Sequence, residues 1–123
     1  MKALRVLLVD DDALLGMLLA DMLTDIGHEV CAIAVTEAAA VSAAAQHHPD
    51  LMIVDVGLGE GSGVAAVDEI LRSAFVPHLF MTGNVARIKA LRQNAVVLEK
   101  PFREPALLLA MQCAMDVAAM HRP

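Results

Sequence analysis

Short apolar runs, each ended by a charged or turn-forming residue, recur along the chain and constrain its fold more than any other feature. The runs are near-continuous in apolar residues and too short for ordinary helices, which is typical of strands buried on both faces of a sheet. We therefore predict strands at residues 5–9, 29–34, 51–54, 77–81 and 96–98.

Longer segments with helical spacing of apolar residues separate these runs. They are 13–25, 36–47, 64–73 and 104–120, with room for about two helical turns in 84–94. Side chains suited to cap helices stand at the start of three of them, at Asp12, Thr36 and Ser62. Strands that alternate with helices favour right-handed crossovers. The expected fold is thus a single doubly wound α/β domain, a five-stranded parallel sheet with helices on both faces, over residues 1–123.

Composition and charge exclude several classes of function. Aromatic residues make up 2% of the chain, too few for the stacking platforms that bind single-stranded nucleic acid. The net charge of −6 argues against direct binding to a phosphate backbone. We expect no direct contact with nucleic acid.

Targeting and disulfide signals are also missing from the sequence. The apolar run after Arg5 stops at Asp10, too early for a signal peptide, and nothing approaches a membrane span. Cys31 and Cys113 are too far apart for a disulfide scaffold, so we predict two buried thiols. A cytoplasmic location without membrane insertion is the expectation.

Polar side chains that could do chemistry end four of the five predicted strands. Asp10 and Asp11 follow the first strand, Asp55 the third, Thr82 the fourth, and Lys100 the fifth. Because parallel strands end at one edge of a sheet, we expect these side chains to meet there.

Carboxylates gathered in one crevice repel one another unless a cation lies among them. Oxygen ligands alone favour Mg²⁺. A carboxylate beside Mg²⁺ and a lysine is suited to accept a phosphoryl group, because such transfer needs in-line positioning and charge neutralisation. Lys100 would supply further positive charge, and Thr82 would supply a hydrogen bond to a phosphoryl oxygen.

At this point the sequence resembles the receiver domains of two-component response regulators, which are CheY-like. The matching stretches are VLLVDDD (6–12), LMIVDVGLGEGSG (51–63), FMTGN (80–84) and LEKPF (98–102). The resemblance covers the whole chain and implies the strand order 2-1-3-4-5.

The resemblance also implies roles for individual residues. Asp55 would be the phosphoacceptor, with Thr82 as the switch hydroxyl and Lys100 as its cationic partner. The Mg²⁺ ligands would be Asp10, Asp11, Asp55 and the backbone carbonyl of Gly57. The domain would promote its own phosphorylation and dephosphorylation without being an enzyme in the ordinary sense.

Partners follow from the same resemblance. A sensor histidine kinase or a histidine phosphotransfer protein would supply the phosphoryl group. Output would pass by phosphorelay or by contact with a downstream protein target, from a monomer or a weak dimer.

Three positions depart from the usual receiver pattern. Val97 stands where an aromatic residue is usual, Gly59 where the loop after the acceptor usually has proline, and Gly83 where alanine is common. The stretch 80–83 and the missing aromatic residue together resemble the FATGUY subgroup, found mainly in alphaproteobacteria and often coupled to HWE-type kinases. Without the aromatic residue, we expect phosphorylation to re-order residues 83–94 instead.

Two alternatives remain open on sequence grounds. One is a haloacid dehalogenase-type phosphatase, with Asp10 as nucleophile and Asp12 as acid/base. The other is a pseudo-receiver that binds partners without being phosphorylated. The glycines of 57–63 do not satisfy a phosphate-binding motif, so a loop is the interpretation there.

Overall fold

The computed structural model describes residues 2–58 and 61–120, and these form a five-stranded parallel sheet in the order β2-β1-β3-β4-β5. The strands are β1 Arg5–Val9, β2 Glu29–Ala34, β3 Leu51–Asp55, β4 His78–Thr82 and β5 Val97–Glu99. The helices are α1 Ala13–Asp25, α2 Glu37–His47, α3 Gly63–Ser73, α4 Val85–Leu91 and α5 Glu104–Met120. The predicted fold class and strand order are confirmed.

Strands β4 and β5 each begin one residue later than predicted. In β4 the reason is Pro77, which has no N–H to donate to the ladder, so the strand begins at His78. In β5 the register pairs Phe80 with Val97 and Thr82 with Glu99, which moves the strand one residue towards Lys100. The shift brings Thr82 and Glu99 into the sheet at the edge where we expected the polar groups.

Helix starts follow the capping side chains. Asp12 accepts from Leu15 N at 3.1 Å, and Ser62 accepts from Ala65 N at 3.3 Å. The remaining capped starts are those of α2 and α4, at Thr36 and Asn84. Each such cap contributes about 1 kcal/mol to helix stability. The caps predicted at Asp12, Thr36 and Ser62 are confirmed, and Asn84 is an additional one.

Two apolar cores lie on the two faces of the sheet. Alternate residues of each strand point to opposite faces, so Leu8 belongs to one core and Leu7 to the other. The first core packs α1 and α5 against the sheet, and the second packs α2, α3 and α4. Small residues such as Ala40 and Ala66 let helices of the second core approach the strands closely.

Helix α1 buries a different face from the one that its largest apolar residues suggest. Gly16, Leu19 and Leu23 face the sheet. Leu14 and Leu18, on helical spacing with each other, are 69% and 56% exposed. The outer face of this helix is therefore apolar and uncovered.

The two cysteines differ from the prediction. Cys113 is exposed on α5, and Cys31 is only partly buried at the sheet edge, where its Sγ lies 3.4 Å from Val6 O. The prediction of two buried thiols was wrong because position 113 lies on the outward side of its helix and β2 is an edge strand. Among residues 2–58 and 61–120, no helix combines the length and apolar character that crossing a bilayer requires.

Candidate functional site

The parallel register brings the polar strand ends to one edge of the sheet. Val9, the last residue of β1, pairs with Val54, so Asp10 and Asp55 follow in step on neighbouring strands. Asp10 N donates to Ala34 O at 2.9 Å, which continues the pairing beyond β1. The expectation that carboxylates gather at this edge is met by the positions of these two residues.

Asp10, Asp11 and Asp55 form a cluster in which one carboxylate oxygen from each lies within 4.8 Å of the others. Asp10 is 1% exposed and Asp55 is 8% exposed, whereas Asp11 lies at the surface. The arrangement therefore has a buried floor and one side open to solvent.

Both oxygens of Asp55 have partners. Lys100 Nζ lies 3.2 Å from Asp55 Oδ2, and Gly57 N donates to Asp55 Oδ1 at 3.2 Å. The backbone of Lys100 is fixed by its N–H, which donates to Thr82 O at 2.9 Å. The lysine therefore reaches the Asp55 carboxylate from a position that the sheet determines.

Only one of the two carboxylate oxygens of Asp10 has a hydrogen-bond partner among the described residues. Its Oδ1 accepts from Asp12 N at 2.9 Å, whereas no described residue offers a hydrogen bond to its buried Oδ2. Burial, reinforced by the nearby Asp55 charge and opposed by the Asp12 N–H, raises the pKa of Asp10. A divalent cation would satisfy this oxygen and relieve the repulsion, so these residues fit Mg²⁺.

Gly63 holds the backbone behind Asp55. A Cβ on Gly63 would overlap the carbonyl oxygen of Asp55 and press on the Val54 side chain. Gly63 N donates to Val56 O at 3.2 Å, which fixes the start of α3 against the end of β3. Sequence reasoning missed this requirement, because glycine was read there only as a loop former.

Thr82 lies at the end of β4, the strand next to Asp55. Its Oγ1 accepts from Asn84 N at 3.0 Å, and Asn84 Oδ1 in turn accepts from Arg87 N at 3.1 Å. The hydroxyl oxygen is thus linked to the start of α4. A Cβ on Gly83 would meet nothing within 4 Å, so close packing is not what requires glycine there.

Three further positions singled out in the sequence are Val97, Asp12 and Gly59. Val97 is half-buried in β5 and packs against the second core, and no aromatic ring occupies its place. Asp12 is committed to capping α1, which does not suit the acid/base role that the phosphatase alternative gives it. Gly59 lies outside the described residues.

A family model described as the response regulator receiver domain matches residues 6–112. PdtaR of Mycobacterium tuberculosis, a transcriptional regulatory protein, is 34% identical over 116 residues, which cover 91% of this chain and 57% of that protein. The chemotaxis protein CheY of Bacillus subtilis is 32% identical over 117 residues, which cover 91% of this chain and 98% of that protein. The chain thus spans little more than half of one relative and nearly all of another.

Solved receiver structures have the same fold. The response regulator REC domain of PhyR from Erythrobacter litoralis superposes with a TM-score of 0.84 at 30% identity, covering 94% of this chain and 92% of that domain. These comparisons carry no information on the FATGUY subgroup, which stays a prediction. The family match favours the receiver interpretation over the phosphatase alternative.

Proposed function

The chain belongs to the response regulator receiver domain family, and we propose that Asp55 accepts a phosphoryl group from a phosphohistidine partner at a Mg²⁺-dependent site. The observation that carries the proposal is the contact of Asp55 Oδ2 with Lys100 Nζ at 3.2 Å inside the cluster of three carboxylates. A nucleophilic carboxylate, a fixed cation and a set of oxygen ligands are the parts that phosphoryl transfer needs.

The proposed step is an in-line displacement. A carboxylate oxygen of Asp55 forms the new P–O bond, while the P–N bond of the donor phosphohistidine breaks and its electron pair stays on the imidazole. Lys100 neutralises charge that builds on the phosphoryl oxygens, and the Thr82 hydroxyl donates to one of them once it moves inward. Asp10, Asp11, Asp55 and the carbonyl of Gly57 would hold Mg²⁺, which supplies further neutralisation of phosphoryl charge when bound.

An uncovered apolar surface beside the site supports a protein as the phosphoryl donor. This surface includes a groove of about 470 Å³ between α1 and the segment after β5, here called the α1 groove, in which Leu18 is exposed and Leu19 is buried. The residues that line it are Leu15, Leu18, Leu19, Met22, Lys100, Pro101 and Phe102. Leu14 and Met17, on the outer face of the same helix, are also exposed. Since Lys100 both lines this groove and contacts Asp55, a partner docked here would present its phosphohistidine next to the acceptor.

Charge substitution in the groove tests this docking. Leu18→Asp is expected to slow transfer from a phosphohistidine protein that phosphorylates the wild type by roughly tenfold or more. Leu109→Asp, at a residue 67% exposed on α5, is the matched control and should transfer normally. Both variants should accept phosphate from acetyl phosphate at the wild-type rate. Equal slowing of both variants with the protein donor would contradict docking in the α1 groove.

The segment after Thr82 is the proposed output element. Helix α4 is seven residues long, and the Thr82 hydroxyl is linked through Asn84 to its first turn. Arg92 forms an ion pair with Asp68 of α3, which holds the other end of the segment. A Thr82 hydroxyl drawn towards a phosphoryl group would give up its bond to Asn84 N, and residues 83–94 would then re-order.

Amide exchange tests the output element. Beryllofluoride with Mg²⁺, a mimic of the phosphoryl group, should change protection across 83–94 and leave the amides of α2 unchanged. The same change should be absent in Thr82→Ala. Identical protection of 83–94 with and without the mimic would exclude re-ordering as the switch.

The site of covalent modification gives the most specific test of the proposal. After reaction with acetyl phosphate and Mg²⁺, borohydride reduces an acyl phosphate to the alcohol, and peptide mass mapping then locates it. The expected product is homoserine at position 55. A reduced residue at position 10 instead would identify Asp10 as the nucleophile. A folded wild type that binds Mg²⁺ and yet takes no phosphate from small donors or from phosphohistidine proteins would favour a pseudo-receiver.

A further inference from the structure

A carboxylate on α2 is bonded to the loop that follows Asp55. Glu37 Oε1 accepts a hydrogen bond from Ser62 N at 3.0 Å, across 25 residues of sequence. Ser62 is the N-cap of α3, so this bond joins the first turn of α2 to the start of α3. Both ends of the bond are partly buried.

The backbone at Gly61 is also in close contact with the Glu37 side chain. Gly61 has φ +86°, and a Cβ there would lie 2.5 Å from Glu37 Oε1 and 2.6 Å from Glu37 Cβ. The loop backbone therefore rests directly on the Glu37 side chain, and any larger residue at position 61 would push the two apart.

Helix α2 does not need this carboxylate for its own cap. Thr36 Oγ1 already accepts from Ala39 N at 3.1 Å, which is the capping bond of the helix. Glu37 is the first residue of α2, and its carboxylate reaches across to another segment instead of back to its own turn. Its position in the first turn is favourable for a negative charge, and its bond to a backbone N–H is charge-assisted.

We propose that Glu37 is a positioning residue for the metal-binding loop after Asp55. Before the undescribed residues 59 and 60, Gly57 N donates to Asp55 Oδ1; after them, Ser62 N donates to Glu37. Holding Gly57 and Ser62 in place reduces the conformational entropy that is lost when the Gly57 carbonyl becomes a ligand. The inference rests on the proposed function, since Gly57 is a ligand only if the site binds Mg²⁺.

Three variants separate positioning from general stabilisation. Glu37→Ala removes the acceptor, Glu37→Gln keeps an acceptor oxygen without the charge, and Thr36→Ala removes the cap of the same helix while leaving Glu37 in place. The first readout is hydrogen exchange at the Ser62 amide in the Mg²⁺-free protein, which reports on the bond itself. The second is the Mg²⁺ dissociation constant, from titration calorimetry of the full chain.

Glu37→Ala is expected to speed exchange at Ser62 and to weaken Mg²⁺ binding by roughly tenfold, the lower end of the effect of outer-shell partners. Glu37→Gln should recover most of the affinity. Thr36→Ala should lower the unfolding midpoint and leave the Mg²⁺ affinity unchanged. The inference would be overturned if Glu37→Ala bound Mg²⁺ as the wild type does, or if Thr36→Ala weakened binding equally.

The positioning role of Glu37 and the proposed function can be disproved separately. Phosphorylation of the wild type at position 55 is measured independently, and its failure would remove the proposed function whatever the Mg²⁺ affinities are. Wild-type phosphorylation with unchanged Mg²⁺ affinity in Glu37→Ala would remove only the positioning role.

Discussion

Lys100 Nζ lies 3.2 Å from Asp55 Oδ2 although β3, which ends at Asp55, and β5, which ends just before Lys100, are separated by β4. The bond from Lys100 N to Thr82 O places the lysine backbone at the end of β4, and its side chain then crosses that strand end. Asp55 therefore has a cation at contact distance, whereas the buried Oδ2 of Asp10 has no partner among the described residues. Two neighbouring carboxylates thus occupy different electrostatic environments.

Loss of the Lys100 ammonium should slow phosphoryl transfer without weakening the metal site. In Lys100→Met, phosphorylation by acetyl phosphate should fall roughly 10²-fold, the usual cost of removing one preorganised electrostatic contact. The Mg²⁺ affinity should stay equal or rise, because a competing positive charge has gone. Lys89→Met, at an exposed lysine that donates to Ala95 O, is the control. A matching loss of Mg²⁺ binding in Lys100→Met would contradict this role.

Asp10→Asn should stabilise the metal-free protein and abolish its stabilisation by Mg²⁺. Burial raises the pKa of Asp10, so the folded state binds this proton more tightly than the unfolded state does. Ionised Asp10 therefore costs stability as the pH rises through that raised pKa, and the variant removes this loss at pH 7.

The expected gain in the free energy of unfolding for Asp10→Asn is about 1–3 kcal/mol, because a neutral amide replaces a buried charge that lies near Asp55. Urea denaturation with and without Mg²⁺ measures both effects. Asp11→Asn, at the exposed carboxylate, should lose Mg²⁺ stabilisation without the gain. A metal-free Asp10→Asn variant less stable than the wild type would contradict the interpretation of this carboxylate.

His28 should make the protein less stable in mild acid. It is buried, and its Nδ1 accepts from Leu4 N at 3.0 Å, which requires a ring without a proton on that nitrogen. Burial lowers the pKa of His28 below its usual 6.5. The unfolded state therefore binds the proton first, and stability that is present above pH 6.5 is lost as the pH falls from there through the lowered pKa.

Urea midpoints between pH 8 and pH 5 would check the His28 effect. His28→Asn keeps an acceptor near the Leu4 amide and should flatten the acid side of the profile. His48→Asn is the matched control, because His48 is exposed with φ 47°, a conformation that asparagine tolerates. The urea midpoints of His48→Asn should vary with pH as those of the wild type do. A flattened profile in this control would show that the loss of stability in acid is not specific to His28.

Alanine should destabilise the protein at position 63 and leave its stability almost unchanged at position 83. In Gly63→Ala the new Cβ meets the Asp55 carbonyl oxygen, which cannot move without disturbing β3, so the expected cost is about 3 kcal/mol or more. In Gly83→Ala the Cβ enters open space, and the change should lie within about 0.5 kcal/mol of neutral or be slightly stabilising. Denaturant unfolding of both variants checks the pair, and equal costs would contradict the packing described at Gly63.

The fold could be predicted from the sequence because local signals mark the individual helices and strands. Capping residues mark the starts of α1, α2 and α3, and strand-ending polar residues mark the edge where the candidate site lies. The pairing of Asp55 with Lys100 followed from the general rule that parallel strands end together.

Contacts between distant segments could not be read from those signals. The bond between Glu37 and Ser62 depends on how α2 and α3 pack, and nothing in either segment alone indicates it. Helix α1 carries apolar residues around much of its circumference, so spacing did not show that Gly16 faces Ile33 while Leu14 stays exposed.

The most direct test of the account is the intact mass of the protein after incubation with acetyl phosphate and Mg²⁺, with Asp55→Asn and Asp25→Asn measured beside it. Asp25 is an exposed aspartate at the end of α1 and serves as the control. We expect a Mg²⁺-dependent gain of one phosphoryl group in the wild type and in Asp25→Asn, and none in Asp55→Asn. An undiminished gain in Asp55→Asn would contradict it and place the acceptor on another residue.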